Sequence, residues 1–125
     1  MNDFKGIYTQ KERDKRISDE YERLKTGLAS LDSKNAVTLD KLFHEAAFMA
    51  ITLEETRKII TRDGIIEQYQ NGATQKGLKK SSAVEVYDKM MSTYLKTIDQ
   101  INKSLPEGKT LDPAAELNEF LRRED

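Results

Sequence analysis

His44 and Glu45 stand as the opening pair of a helical zinc-protease motif would. Such a motif grips zinc with two histidines four residues apart on one helix face, and its glutamate serves as base. Four residues after His44 the chain has Phe48, so the second ligand is missing. A lone histidine in an apolar stretch reads as a half-buried packing residue. Glu54 and Glu55 are adjacent carboxylates. Helix neighbours point to different faces, so they cannot flank a substrate as paired acid and base, and they read as solvated. Gly72 and Gly77 lack the Lys-Ser/Thr that a phosphate-cradling loop requires. There is no cysteine, which excludes a thiol nucleophile, a disulfide scaffold, an iron–sulfur cluster and a cysteine-based zinc site. The expectation is a protein that is not an enzyme, with no metal and no cofactor.

What remains is binding chemistry, and it is basic. Residues 57–80 carry 6 basic and 2 acidic residues, ending in Lys76, Lys79 and Lys80. These lysines precede the start of an expected helix, where free N–H groups favour anions. They read equally as a phosphate-binding patch and as charges that solubilise a hairpin. A second group, Lys11, Arg13, Lys15 and Arg16, is interrupted by Glu12 and Asp14. It reads first as a solvated helix face and second as a phosphate contact. The 125 residues hold 21 basic and 22 acidic side chains, a net charge of −1. Nonspecific coating of nucleic acid is therefore not expected, and any contact with DNA has to come from a local patch. Residues 110–125 carry 5 acidic and 2 basic residues, as suits a solvated tail or a basic protein partner.

The elements that would position these groups follow from apolar spacing. Ile17, Tyr21, Leu24, Leu28 and Leu31 form a heptad seam within an expected helix over residues 10–31. That seam could pack inside the chain or against another copy. Gly27 inside it costs about 1 kcal/mol relative to alanine. Thr38 is the expected N-cap of a second helix, whose apolar arc runs from Leu39 to Ile60 and makes it the central one. Asp63-Gly64 should end it, with Gly64 as a left-handed cap. Ile65, Ile66 and Tyr69 favour extended structure, and Asn71-Gly72 is a strong hairpin signal, so strands are expected over 65–69 and 73–78. Such a hairpin is marginal alone and must pack on helices or on a neighbouring subunit. Ser82-Ala83-Val84-Glu85 reads as a capping box for a third helix with a stripe from Val84 to Leu105. Asp112-Pro113 opens a short fourth helix faced by Leu117, Phe120 and Leu121.

The expected fold is mainly α: two long antiparallel helices joined by a small β-hairpin, plus an N-terminal helix and a short C-terminal helix. Three segments result: an N-terminal helical arm (1–35), a helix–hairpin–helix oligomerisation core (36–109) and an acidic C-terminal helix or tail (110–125). Ile17, Tyr21, Leu24, Leu28, Leu31, Ile65, Ile66 and Tyr69 are the candidates for contact between copies. No apolar run approaches the ~18–20 residues of a membrane span, and residues 1–20 lack a signal-peptide core. A cytosolic protein with no membrane partner is expected.

The order of a long helix ending in Asp-Gly, an Asn-Gly hairpin and a second long amphipathic helix, carried by residues 45–105, resembles one family of bacteriophage terminase small subunits. Members often have Asn-Pro or His-Pro before the third helix, where this chain has Lys80-Ser81-Ser82. The resemblance implies a homo-oligomeric ring in the host cytoplasm. It would engage double-stranded viral DNA and recruit and regulate the large terminase subunit, which carries the ATPase and nuclease, during genome packaging. On that reading Lys11, Arg13, Lys15, Arg16, Lys76, Lys79 and Lys80 are the DNA-binding candidates. Glu116, Glu119, Phe120, Arg122 and Arg123 are the candidates for contact with the large subunit. The alternative is a small helical adaptor or antitoxin-like regulator acting only through protein contacts.

Overall fold

A computed structural model describes residues 6–27, 36–71 and 75–105, together with Ala115 and Arg122. Three helices and one hairpin follow in order: α1 (Gln10–Gly27), α2 (Ala36–Asp63), β1 (Ile66–Asn71), β2 (Gln75–Lys80) and α3 (Ser82–Lys103). The mainly helical reading holds, and the strands form a two-stranded antiparallel sheet. Leu28 and Leu31 lie outside the described residues. So does the C-terminal helix, except that Ala115 and Arg122 are helical and exposed.

α2 is the centre of the molecule. It packs against both α1 and α3. Its buried face joins Leu39, Phe43, Ala46, Met49, Ala50 and Leu53 to Tyr94, Ile98 and Ile101 of α3 and Leu24 of α1. The small side chains of Ala46, Ala47 and Ala50, all essentially inaccessible, let a neighbouring helix approach closely. A 28-residue helix is about 42 Å long, more than one face of a single neighbour covers. α1 and α3 share it, and its last residues, Thr61, Arg62 and Asp63, are polar and exposed.

Most boundaries agree with the spacing, and three do not. α2 ends at Asp63, and Gly64 takes φ +88° while its N–H closes on the Ile60 carbonyl at 2.7 Å. This is the left-handed cap that glycine adopts without steric cost. At the other end, α2 already includes Ala36 and Val37, so Thr38 is inside the helix and not its cap. The hairpin strands sit slightly later than expected, with Glu67 opposite Lys79 and Gln68 opposite Leu78. The third helix is capped one residue earlier than the capping box suggests. The Ser81 hydroxyl accepts the Ala83 N–H at 3.2 Å, and the Ser81 carbonyl accepts the first helical bond from Glu85 N–H at 3.1 Å. The reason is the strand before it: Ser81 N–H donates to the Ile65 carbonyl at 2.8 Å, which ties the start of α3 to the end of α2. That tie turns the chain around, so α3 returns along α2.

Ile98 is fully buried at the α2–α3 contact. Ile98→Ala should lower the unfolding free energy by about 3 kcal/mol, measured by chemical denaturation. A loss below about 1 kcal/mol would mean that this contact does not hold the helices together.

Candidate functional site

Two clusters of polar chemistry stand out, at opposite ends of the functional question. The first lies where α1 and the segment before it cross α2. Glu54 and Glu55 are 2% and 7% exposed, so the reading of them as solvated is wrong. Glu55 accepts the N–H groups of Ile7 and Tyr8 at 2.9 and 3.0 Å, and it takes Arg13 through two contacts of 2.8 Å, Nε to Oε1 and Nη2 to Oε2. Glu54 accepts the Tyr8 hydroxyl and, at 2.7 Å, Arg16 Nη1. The Arg16 guanidinium also lies over the Tyr8 ring, 4.3 Å from its centroid. Two adjacent carboxylates can be buried because each meets its own arginine and further donors.

The electrostatics follow from that geometry. Burial alone would raise the Glu55 carboxyl, but the Arg13 guanidinium and the Tyr8 and Ile7 N–H groups outweigh it and hold Glu55 below its ordinary value. Burial, and then the bond to Glu54, push the Tyr8 hydroxyl well above the ordinary tyrosine range. Tyr8 is therefore a neutral donor. Beside this cluster Glu20, also buried, pairs with Arg23 at 2.9 Å. The cluster is a latch that fastens the amino-terminal arm to α2.

Arg13 and Arg16, two of the DNA-binding candidates, are thus engaged inside the chain. Lys15 pairs with Asp19 at 2.8 Å along the helix, and Lys11 is exposed. Leu24 of the heptad seam is buried in the core, Tyr21 packs against that core and Ile17 is half-buried. Tyr21 donates to Asp40 and stacks on His44 with ring centroids 3.8 Å apart. The expected half-burial of His44 is not what is seen: the side chain is largely exposed on its outer side, and stacking, not enclosure, holds it.

The second cluster is at the hairpin. Lys79 meets Glu67 across the two strands at 3.2 Å, and Lys80 meets Asp88 of α3 at 3.5 Å. Glu67 also accepts the Ser82 hydroxyl at 3.2 Å and approaches the Ser82 N–H at 3.5 Å. The Lys79 ammonium first, and then Ser82, hold the Glu67 carboxyl below its ordinary value. A carboxylate of the chain itself thus occupies the start of α3, where a phosphate was envisaged. Next to it lies an open apolar groove of about 480 Å³, lined by Ile65, Ile66, Leu78, Lys79, Lys80 and Val84. Ile65, Ile66 and Leu78 are 61%, 57% and 67% exposed. The side chains of Tyr69 and Lys76 lie outside the described residues, as do Glu116, Glu119, Phe120 and Arg123. Among the described residues no group of three or more acidic or histidine side chains could hold a metal ion. Nor is any described helix long and apolar enough to cross a membrane.

The residues that sequence reasoning missed are Tyr8, Glu54 and Glu55. A signal was present: Glu54 falls four residues after Ala50 and Glu55 four after Ile51, which continues the buried arc. Because Glu55 is depressed in the folded state, its contribution is fully present above its unfolded value, near 4.5. It is lost as pH falls through the lower folded value. Thermal stability should therefore drop on acidification below about pH 4.5, and Glu55→Gln, costing about 2 kcal/mol at neutral pH, should flatten that part of the profile. An unchanged profile in Glu55→Gln would show that the latch does not titrate.

No protein-family model, curated protein or solved structure matches the chain, so a functional reading rests on the residues above and on the resemblance over 45–105.

Proposed function

We propose that this chain is a non-catalytic component of a phage genome-packaging machine, of the terminase small-subunit kind. Copies associate through the hairpin end, closing into a ring in the host cytoplasm. The assembly engages double-stranded viral DNA and presents it to a large subunit that supplies the ATPase and nuclease. The observation that carries this reading is the apolar groove of the hairpin, flanked by Lys79 and Lys80 and left open by the described residues. Apolar surface of this kind marks a contact between macromolecules. The order of helix, hairpin and helix supports the family. The acidic segment 110–125, with Glu116, Glu119, Phe120, Arg122 and Arg123, is the proposed contact with the large subunit.

DNA contact in this reading is to phosphates and concentrates at the hairpin. Arg13 and Arg16 would have to leave Glu55 and Glu54 to reach DNA, at the cost of two buried carboxylates without a cationic partner. Lys79 and Lys80 face no such barrier, since their acidic partners are half exposed and exposed ion pairs are weak. Each protomer binds weakly, and repetition around a ring multiplies the effect.

One observation favours the second reading, a helical adaptor without DNA contact. Each described basic candidate other than Lys11 already meets an acidic group of the same chain. Electrophoretic shift of duplex DNA across a salt series separates the two. The packaging reading expects affinity that falls steeply with salt, is abolished by Lys79→Glu with Lys80→Glu, and rises in Glu67→Gln, which releases Lys79. Binding that is absent at low salt selects the adaptor, and binding indifferent to all three changes overturns the hairpin as the DNA site.

A further inference from the structure

The groove is apolar in its floor and cationic at its rim, and it has a specific complement elsewhere in the same sequence. Residues 110–125 carry 5 acidic and 2 basic residues. Their apolar side chains Pro113, Leu117, Phe120 and Leu121 recur at one helical face, and Glu116 and Glu119 adjoin that face. Ala115 and Arg122 are helical. An amphipathic acidic helix laid into an apolar, lysine-rimmed groove is a recurring mode of recognition. We propose that the C-terminal segment of one copy docks into the hairpin groove of a neighbouring copy, so that successive protomers are clasped tail to hairpin.

Reach decides between the chain's own groove and that of its neighbour. From Val84 to Lys103 α3 runs about 29 Å, away from the hairpin. Seven steps from Leu105 to Asp112 span at most about 25 Å, and Leu117 lies about 8 Å further along a helix. Docking on the chain's own groove would require the connecting residues to be largely extended and aimed back along α3. A neighbouring copy imposes no such demand. Tail and groove are different surfaces, so successive copies can close into a ring or extend as a filament, and reciprocal exchange between two copies gives a dimer.

The chemistry of the clasp is complementary in both its parts. Ile65, Ile66 and Leu78 would lose their contact with water against Leu117, Phe120 and Leu121. Lys79 and Lys80 each bear three N–H donors and one acidic partner within the protomer, which leaves capacity for Glu116 and Glu119. The acidic segment then has two uses. Docked, it joins copies; released, it is free for a large subunit, so binding of that partner would loosen a joint of the ring.

The proposal rests on the assembly reading and is tested apart from it. The chain has no cysteine, so Leu78→Cys with Phe120→Cys in the full-length protein introduces the only two thiols. Copper–phenanthroline, an oxidant that accepts the two electrons of each disulfide, is added and the product run on a denaturing gel. The expected result is a ladder of covalent dimers, trimers and larger species. Each single variant should stay mostly monomeric, and Lys79→Glu with Lys80→Glu in the double-cysteine background should weaken the ladder at least several-fold. Charge exchange, with Glu116→Lys and Glu119→Lys added to that protein, should restore it. A monomer band alone, from no crosslink or an internal one, overturns the clasp, as does an equal dimer yield from Leu78→Cys by itself. If light scattering of the untreated protein shows several copies while the ladder is absent, the clasp fails and the assembly reading survives.

Discussion

A two-stranded hairpin has too little buried surface to hold itself together in water. This one is fastened by its ends. The Ser81–Ile65 backbone bond joins it to both long helices, and Glu67 links Lys79 to Ser82. Those ties hold its backbone but do nothing for the side chains of Ile65, Ile66 and Leu78, which face solvent. Among the described residues the helices bury most of their apolar side chains, Val37, Phe48, Val86 and Leu95 excepted, whereas the hairpin end leaves Ile65, Ile66 and Leu78 exposed. The functional account depends on that imbalance, because an exposed apolar face on a firmly held element is a surface for association.

The crossing of α1 over α2 is closed by opposite means. There α2 carries two buried carboxylates, and the chain brings Tyr8, Arg13 and Arg16 to meet them. A network of this kind adds little net stability over an apolar contact, but removing one member exposes the rest to the full penalty of an unpaired buried charge. It therefore specifies where α1 sits. It also pairs Arg13 and Arg16, both still partly exposed, with carboxylates of the chain itself. The arm and the hairpin have divided the work: one orders the protomer, the other faces outward.

Much of this architecture was legible from spacing. The apolar arc of α2 and the Asp63-Gly64 stop are local signals, and each reports chemistry within a few residues of itself. Glu54 and Glu55 were misread for the opposite reason. Their partners lie more than 35 residues away, and a carboxylate on an apolar arc looks solvated until those partners are known. The cap of α3 was misplaced by one residue because the bond that fixes it comes from Ile65, across the hairpin. Leu24 of the heptad seam is core within the protomer, whereas Ile65 and Ile66 at the hairpin are open. A periodic stripe shows that a face is apolar; only the packing shows whether the chain has covered it.

The proposed packaging role is compatible with an outward apolar face that has lysines beside it. The central claim is that copies of the chain, not solvent, cover the hairpin face. Light scattering of the full-length protein at micromolar concentration, compared with Leu78→Asp, addresses it most directly. Leu78 is exposed in the protomer, so the substitution should leave the fold and its melting temperature intact. The account predicts a mass of several copies for the wild-type chain and of a single copy for the variant. A single-copy mass for the wild-type chain, or an unchanged multi-copy mass for Leu78→Asp, would contradict it.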